Sequence, residues 1–109
     1  MELIKSFILK HPNLKHAFSL RSGGVSPEPW DSLNCSYFVG DKNINVKKNQ
    51  QLILKKLNFE RLFSVKQIHG NKVIQAEDYF SKNSEIEADA IICKRFNFPI
   101  SITTADCAP

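Results

Sequence analysis

The sequence has 109 residues, 42% of them hydrophobic and 24% charged, which is typical of one folded module and excludes a disordered chain. Its net charge of +4 comes from lysines scattered along the chain rather than from a dense basic run, so we do not expect nucleic acid as a partner. No apolar run reaches the ~18 residues that a membrane span needs, and charges interrupt the apolar start, so we expect a cytoplasmic chain without a signal peptide or a membrane partner.

The N-terminal part of the sequence contains short apolar segments separated by turn residues. Residues 3–9 are apolar with mixed spacing, so a strand and a short helix both remain open. Residues 14–20 alternate loosely, which predicts a strand that ends at Gly23 and Gly24. Two prolines within residues 26–30 indicate an irregular loop.

Residues 41–57 have the clearest helical pattern in the sequence. Asn43 or Asn45 is a candidate for the N-terminal cap, and Asn58 suits the left-handed position that ends a helix. The predicted buried face consists of Val46, Gln50, Ile53, Leu54 and Leu57.

The second half of the sequence has the pattern of several short strands. Residues 62–68 and 73–76 flank a Gly-Asn pair, which predicts a hairpin with His69 at the end of its first strand. Residues 77–87 are polar and indicate a loop or a short helix, and residues 90–93 and 100–104 predict two more strands. Strands, one helix and further strands together predict an α+β fold.

Two residues, His69 and Cys107, are candidates for metal ligands. Imidazole and thiolate both suit zinc, and a catalytic zinc site needs three protein ligands and an open position. A nucleophilic Cys107 with His69 as its base, oriented by Asp106, is an alternative, and so are a turn histidine and a buried thiol. Cys35 and Cys93 are expected to be packed thiols, because an odd number of cysteines does not indicate a disulfide framework.

A second candidate site is the turn that follows Arg21. A guanidinium beside Gly23 and Gly24, with backbone N–H groups available, suits a phosphate or a carboxylate, although double glycines also occur in ordinary turns. Three further polar residues either line this site or serve as turn and capping residues; they are Ser32, Asn34 and Asp41.

Taken in order, these segments resemble the successive motifs of the YfiH/laccase-domain family, whose members have also been called polyphenol oxidases. The resemblance runs from about Lys15 to the last residue. The motifs are Phe18-Ser19-Leu20-Arg21-Ser22-Gly23-Gly24-Val25-Ser26, Ser32-Leu33-Asn34, Val39-Gly40-Asp41, Asn49, Gln67-Ile68-His69-Gly70, Glu87-Ala88-Asp89-Ala90 and Thr104-Ala105-Asp106-Cys107-Ala108-Pro109.

The resemblance implies a layered α/β/β/α fold with mixed sheets and a zinc-dependent purine nucleoside phosphorylase that also deaminates adenosine and cleaves methylthioadenosine. It implies that His69 and Cys107 are metal ligands and that Arg21 holds phosphate or substrate. Copper is a further candidate, since two imidazoles and one thiolate also suit it. Asp106 or Asp89 would assist proton transfer or support the ligands.

The third ligand of the family, a histidine in a His-Ala-Gly-Trp-Arg-Gly motif, has no counterpart in this sequence. The family domain is about twice as long, so we expect residues 1–109 to be its N-terminal portion. Two ligands do not generally retain a catalytic zinc, so we expect no activity without a C-terminal half or a partner copy. The alternative is a nucleoside- or phosphate-binding module without catalysis.

Overall fold

Residues 1–80 and 85–105 are described by a computed structural model. They contain one α-helix, four short strands and one 3-10 turn, so the predicted α+β class is confirmed. The chain divides into two compact units, Met1–Asn58 and Phe59–Pro109. Within the described residues, no helix has the length and apolar character needed to cross a membrane.

The first unit begins with a small antiparallel sheet. Strand β1 (Leu3–Ile4) pairs with strand β2 (Phe18–Ser19). Residues 3–9, for which the sequence left a strand and a short helix both possible, therefore form a strand only at their start. Its remainder turns back, with an N–H···O bond of 2.9 Å from Lys10 to Ile8. The strand predicted over residues 14–20 is also shorter than expected, because only its last part reaches β1.

Helix α1 (Asn43–Leu57) confirms the predicted helix within two residues at its start. It ends as expected at Asn58, whose φ of 63° and ψ of 50° are left-handed. The predicted cap is wrong: Lys42 is the N-terminal cap and makes no side-chain capping bond. Asn43 and Asn45 both lie inside the helix, where the side chain of Asn45 donates to Asp41 Oδ1 at 3.0 Å.

The second unit contains a parallel pair of strands, so the predicted hairpin is wrong. Strand β3 (Val73–Gln75) pairs with strand β4 (Ala90–Ile92) and is followed by the 3-10 turn Ala76–Tyr79. The predicted strand over residues 62–68 forms only isolated bridges, from Phe63 to Ile100 and from Lys66 to Glu87. Its backbone groups therefore pair with later segments instead of folding back on β3.

Each unit has a small apolar centre of its own. Leu33, Val46 and Leu54 are buried in the first unit, with Val46 fully inaccessible. The buried apolar residues of the second unit are Ile74, Ala76 and Ala88, beside rings of Phe63, Phe80 and Phe98 whose centroids lie 4.5 to 6.4 Å apart. The Arg21 turn follows β2 in the first unit, and the segment that carries His69 precedes β3 in the second.

Candidate functional site

His69 lies in a loop that leaves the paired segments of the second unit. We call residues 67–72 the His69 loop. Lys66 pairs with Glu87, and Val73 pairs with Ala90. Six residues lie between Lys66 and Val73, but only two lie between their partners. The surplus residues cannot stay in the parallel pairing and must project from it. His69 itself is exposed and has a φ of 57°.

The carboxylate of Asp89 supports this loop from its base. Its Oδ1 accepts the N–H of Ile68 and its Oδ2 accepts the N–H of Gly70, each at 3.1 Å. Asp89 is itself fixed by its backbone, since its N–H donates to the carbonyl of Lys72 at 2.9 Å. The two residues on either side of His69 are thus attached to one carboxylate.

Gln67 joins the His69 loop to the segment that leads towards Cys107. Its Oε1 accepts both the N–H and the hydroxyl of Thr103 at 2.8 Å, and its Nε2 donates to the carbonyl of Thr103 at 2.9 Å. One amide side chain therefore satisfies the backbone donor and acceptor of a residue 36 positions away. His69 lies two positions after Gln67, and Cys107 lies four positions after Thr103 in the sequence.

His69 is the one predicted metal ligand that lies within the described residues. Among residues 1–80 and 85–105, neither nitrogen of the His69 imidazole has a hydrogen-bond partner, and an exposed neutral imidazole is a common zinc or copper ligand. The same residues contain no group of three His, Cys, Asp or Glu side chains that could hold a metal by itself. The other predicted ligand, Cys107, and the predicted catalytic residue Asp106 lie outside the described residues.

The glycine turn after Arg21 does not offer free backbone donors. The N–H groups of Gly23 and Gly24 both donate to Ser32 Oγ, at 3.1 and 3.0 Å. The expectation that these groups are available to a phosphate is therefore wrong. Arg21 is exposed and uses Nε to donate to the carbonyl of Asp31 at 2.6 Å. The terminal guanidinium nitrogens, which have no partner in the described part of the chain, are the donors left for an anion.

Below this turn lies a buried network of polar side chains. Asn49 is fully buried on α1; its Oδ1 accepts the N–H of Val25 at 2.8 Å, and its Nδ2 donates to the carbonyl of Asn34 at 2.7 Å and to Ser26 Oγ at 2.9 Å. The Ser26 hydroxyl donates in turn to Asp41 Oδ2 at 2.5 Å. Sequence reasoning missed Asn49 as a structural residue, although an amide between Val46 and Leu54 on the buried helix face was a visible signal.

Asp41 is the charged member of this network. Burial would raise its pKa, but hydrogen bonds from Ser26, Asn45 and Asn34 and from the Lys42 backbone lower the pKa to about 2. The carboxylate therefore stays ionised and fully hydrogen-bonded inside the unit. Of the two roles left open for Ser32, Asn34 and Asp41, the structure supports the turn and capping role, because their polar atoms bond to the chain itself.

The two described cysteines are poor metal ligands. Burial raises the pKa of Cys35 to about 11, and its thiol faces the carbonyl of Leu33 at 3.5 Å. The pKa of Cys93 is also raised, first by burial and then by the nearby carboxylate of Glu77. Metal binding requires the thiolate, so these environments favour the packed role that the sequence suggests for both.

Comparison with known proteins places this fold and these motifs in one family. Residues 15–109 match the family described as multi-copper polyphenol oxidoreductase laccase. A purine nucleoside phosphorylase of Haemophilus influenzae is 37% identical over 90% of the chain, and the purine nucleoside phosphorylase YfiH of Shigella flexneri is 34% identical over 84% of it. The crystal structure of a Neisseria meningitidis protein superposes on 96% of the chain with a TM-score of 0.84 at 26% identity.

These matches involve only part of each relative. The chain covers 40% of the Haemophilus protein, 37% of the Shigella protein and 42% of the Neisseria structure. The family match includes the His69 loop, the Arg21 turn and α1, so the resemblance seen in the motifs is confirmed. The superposition on the Neisseria structure confirms the fold class. The chain therefore belongs to the YfiH/laccase-domain family of multi-copper polyphenol oxidoreductase-like proteins.

Proposed function

We propose that this chain is the N-terminal portion, residues 1–109, of a purine nucleoside phosphorylase domain and supplies His69 and Cys107 as two ligands of a catalytic zinc. The names of the Haemophilus and Shigella relatives support the activity. Because the chain spans about two fifths of their lengths, the complete activity is proposed for the chain together with the remaining part of such a domain.

The observation that carries this proposal is the link between Gln67 and Thr103. Three hydrogen bonds hold the start of the His69 loop beside the segment that precedes Cys107. A pair of ligands far apart in sequence can share a metal only if their segments are held close together. The imidazole of His69, which has no hydrogen-bond partner among residues 1–80 and 85–105, supports the same assignment, with copper as the alternative metal.

The chemistry follows from ordinary phosphorolysis of a nucleoside. A phosphate oxygen forms a bond to ribose C1′ while the bond from C1′ to the purine nitrogen breaks, and the purine takes up a proton. We assign Arg21 to the phosphate, since its terminal nitrogens can offset the anion's charge. Asp106 would deliver or receive the proton. A bound zinc would supply Lewis-acid assistance and a polarised water.

Two related reactions fall within the same proposal. In adenosine deamination a water oxygen forms a bond to the amino-bearing carbon of the purine, the bond from that carbon to the amino nitrogen breaks, and ammonia leaves with a proton from the water; a polarised water is the required nucleophile. Methylthioadenosine differs from adenosine at the 5′ position of the ribose, away from the bond that phosphorolysis breaks. We therefore propose both adenosine and methylthioadenosine as substrates for phosphorolysis.

A third metal ligand must come from outside this chain's described donors, because a catalytic zinc site takes three. We propose that a histidine of a C-terminal half supplies it; the alternative is a side chain of a second copy of this chain, which would let the purified chain bind zinc without a C-terminal half. In the first case a partner is missing from the purified chain. The chain alone is then expected to bind zinc weakly and to be inactive.

The test is to purify the chain alone and with a co-expressed C-terminal segment that carries His-Ala-Gly-Trp-Arg-Gly. Zinc content, adenine release from adenosine plus phosphate, and inosine formation are then measured. We expect about one zinc per complex and turnover only with the segment. His69→Ala and Cys107→Ser should abolish both, whereas His11→Ala, a change at an exposed histidine, should abolish neither.

Other outcomes would contradict the proposal in separate ways. Zinc retention and turnover by the chain alone would show that no C-terminal half is needed and that a second copy or another residue of this chain completes the site. Nucleoside or phosphate binding without turnover in the complex would favour the binding module. A complex without zinc that still releases adenine would remove the metal from the mechanism.

A further inference from the structure

The position of His69 requires an explanation of its own, because its backbone is left-handed. A φ of 57° is uncommon for a residue with a side chain, since Cβ then approaches the following carbonyl oxygen. Such a conformation persists only where the surrounding structure enforces it. Among residues 1–80 and 85–105, the hydrogen bonds that hold the two neighbours of His69 are those from the N–H groups of Ile68 and Gly70 to Asp89.

Both carboxylate oxygens of Asp89 are directed at this one turn. Each takes one of the two amide groups on either side of His69, at equal distances of 3.1 Å. A carboxylate used in this way fixes the two peptide units and leaves the intervening side chain outside. Bonds from N–H groups to an ionised oxygen are also stronger than bonds to a neutral one.

The base of the loop is well anchored. The Asp89 and Ala90 N–H groups both donate to the carbonyl of Lys72, and the buried Ala88 donates to the carbonyl of Lys66. The carboxylate is therefore carried by a backbone that is fixed on both sides of the loop. Movement of Asp89 would require these paired segments to separate.

We propose that Asp89 is a positioning residue for His69: it holds the His69 backbone in the left-handed conformation and so keeps the imidazole exposed and ready for its ligand. Asp89 does this without touching the ligand, because both its oxygens are directed at the loop amides. The metal as that ligand rests on the proposed function. The hold on the loop is a property of this chain alone.

The first test measures amide hydrogen exchange by NMR, on the 109-residue chain and on its Asp89→Asn variant. The variant keeps the size of the side chain but replaces one acceptor oxygen with a donor that faces an N–H group. We expect the amides of Ile68 and Gly70 to exchange about tenfold faster or more. The Ala88 and Ser101 amides, which bond to Lys66 and Phe63, should keep their rates.

Glu87→Gln is the matched control. It also removes one carboxylate from the same motif, but Glu87 is exposed and its side chain does not reach the loop amides in the described structure. It should leave both loop amides unchanged. Equal exchange of Ile68 and Gly70 in wild type and Asp89→Asn would overturn the proposal.

A measurement on the wild type covers the case in which Asp89→Asn does not fold. Scalar couplings across hydrogen bonds should connect the amide nitrogens of Ile68 and Gly70 with the carboxyl carbon of Asp89. The backbone coupling constant of His69 should report a positive φ. Absence of both signals from an otherwise assigned spectrum would overturn the proposal without any variant.

Zinc titration of the chain with the C-terminal segment separates this inference from the proposed function. We expect Asp89→Asn to weaken zinc binding about tenfold and to have no further effect when His69 is already alanine. Zinc binding that Asp89→Asn leaves unchanged would overturn the positioning role. A wild type that binds no zinc would overturn the proposed function, and the amide measurements would still decide the role of Asp89.

Discussion

Val25 and Asn49 are joined by a hydrogen bond of 2.8 Å from the backbone N–H of the first to Oδ1 of the second, although 24 positions separate them. Asn49 lies on α1 and Val25 lies in the turn that follows Arg21. The same amide group donates to the carbonyl of Asn34. One helical side chain thus fixes two separate points of the irregular chain before the helix.

Replacing Asn49 with alanine should strongly destabilise the first unit. The N–H of Val25 and the carbonyl of Asn34 would lose their partners in a part-buried site, at a cost of about 1–3 kcal/mol in the free energy of unfolding. Urea denaturation followed by circular dichroism measures this change. Gln51→Ala, on the exposed side of the same helix, is the control, and an equal effect of both variants would refute the role of Asn49.

Asp41 should make the stability of the first unit depend on pH at the acid end. Its pKa in the folded state is about 2, below the ordinary value of 3.8, so the folded state favours the ionised form. This contribution is fully present above the pKa of the unfolded chain and is lost as the pH falls from about 4 towards 2. Urea midpoints should therefore drop across this range in the wild type.

Asp41→Asn should flatten this part of the pH profile and lower the stability at pH 7, because it removes the ionised acceptor. Asp78→Asn, at an exposed position outside the network, should keep the wild-type profile. A wild-type midpoint that stays constant between pH 4 and pH 2 would show that the network does not depend on the charge of Asp41.

Gly24 and Gly70 should respond very differently to alanine. A Cβ at Gly24 would lie 2.2 Å from the carbonyl oxygen of Ser32 and 2.5 Å from Asn49 Oδ1, so the backbone would have to move. A Cβ at Gly70 would meet nothing closer than 3.4 Å, at Asp89 Oδ2. We expect Gly24→Ala to cost about 2–4 kcal/mol and Gly70→Ala less than about 1 kcal/mol. Comparable losses in denaturant titrations would contradict this.

Cys35 should resist alkylation while the chain is folded. Burial raises its pKa to about 11 from the ordinary 9.0, which leaves about a hundredfold less of the reactive thiolate at pH 8. Iodoacetamide labelling followed by peptide mass spectrometry measures the rate for each cysteine. Labelling in urea gives the reference rate, and a folded rate equal to that in urea would show that Cys35 is accessible and unperturbed.

The elements that the sequence predicted well are those set by local spacing. The apolar positions of α1 recur at helical intervals, and Asn58 can adopt the left-handed conformation at little cost, so the helix and its C-terminal end can be read from nearby residues, whereas the N-terminal cap was predicted wrongly. The same information predicted the hairpin at Gly70, which is wrong. Val73 pairs with Ala90, and no pattern near the turn encodes a partner so far along the chain.

In the candidate site, too, features that depend on one residue could be predicted from the sequence, and features that depend on contacts between distant segments could not. His69 could be proposed as a ligand from residue type and family resemblance, because imidazole chemistry belongs to the residue itself. The roles of Gln67 and Asp89 depend on Thr103 and on the loop amides, and these contacts exist only once the segments have paired. The prediction of free amides in the Arg21 turn is wrong for the same reason, because the N–H of Gly23 donates to Ser32 Oγ, a contact between separate segments.

Gln67→Leu should separate the two segments that carry the proposed ligands. The variant keeps most of the side-chain volume but leaves the N–H, hydroxyl and carbonyl of Thr103 without their partner, which should cost about 1–3 kcal/mol. If the link holds His69 near Cys107, zinc affinity of the complex with a C-terminal segment should fall more than stability alone explains.

Gln67→Glu separates the two functions of this amide. It keeps the oxygen that accepts from Thr103 but loses the donor to the Thr103 carbonyl, so we expect zinc affinity between that of wild type and that of Gln67→Leu. Gln75→Leu, on β3, makes the same change in the same unit without touching Thr103. If Gln67→Leu and Gln75→Leu weaken zinc equally, the link does not orient the ligands, and the proximity of the two segments must be imposed elsewhere.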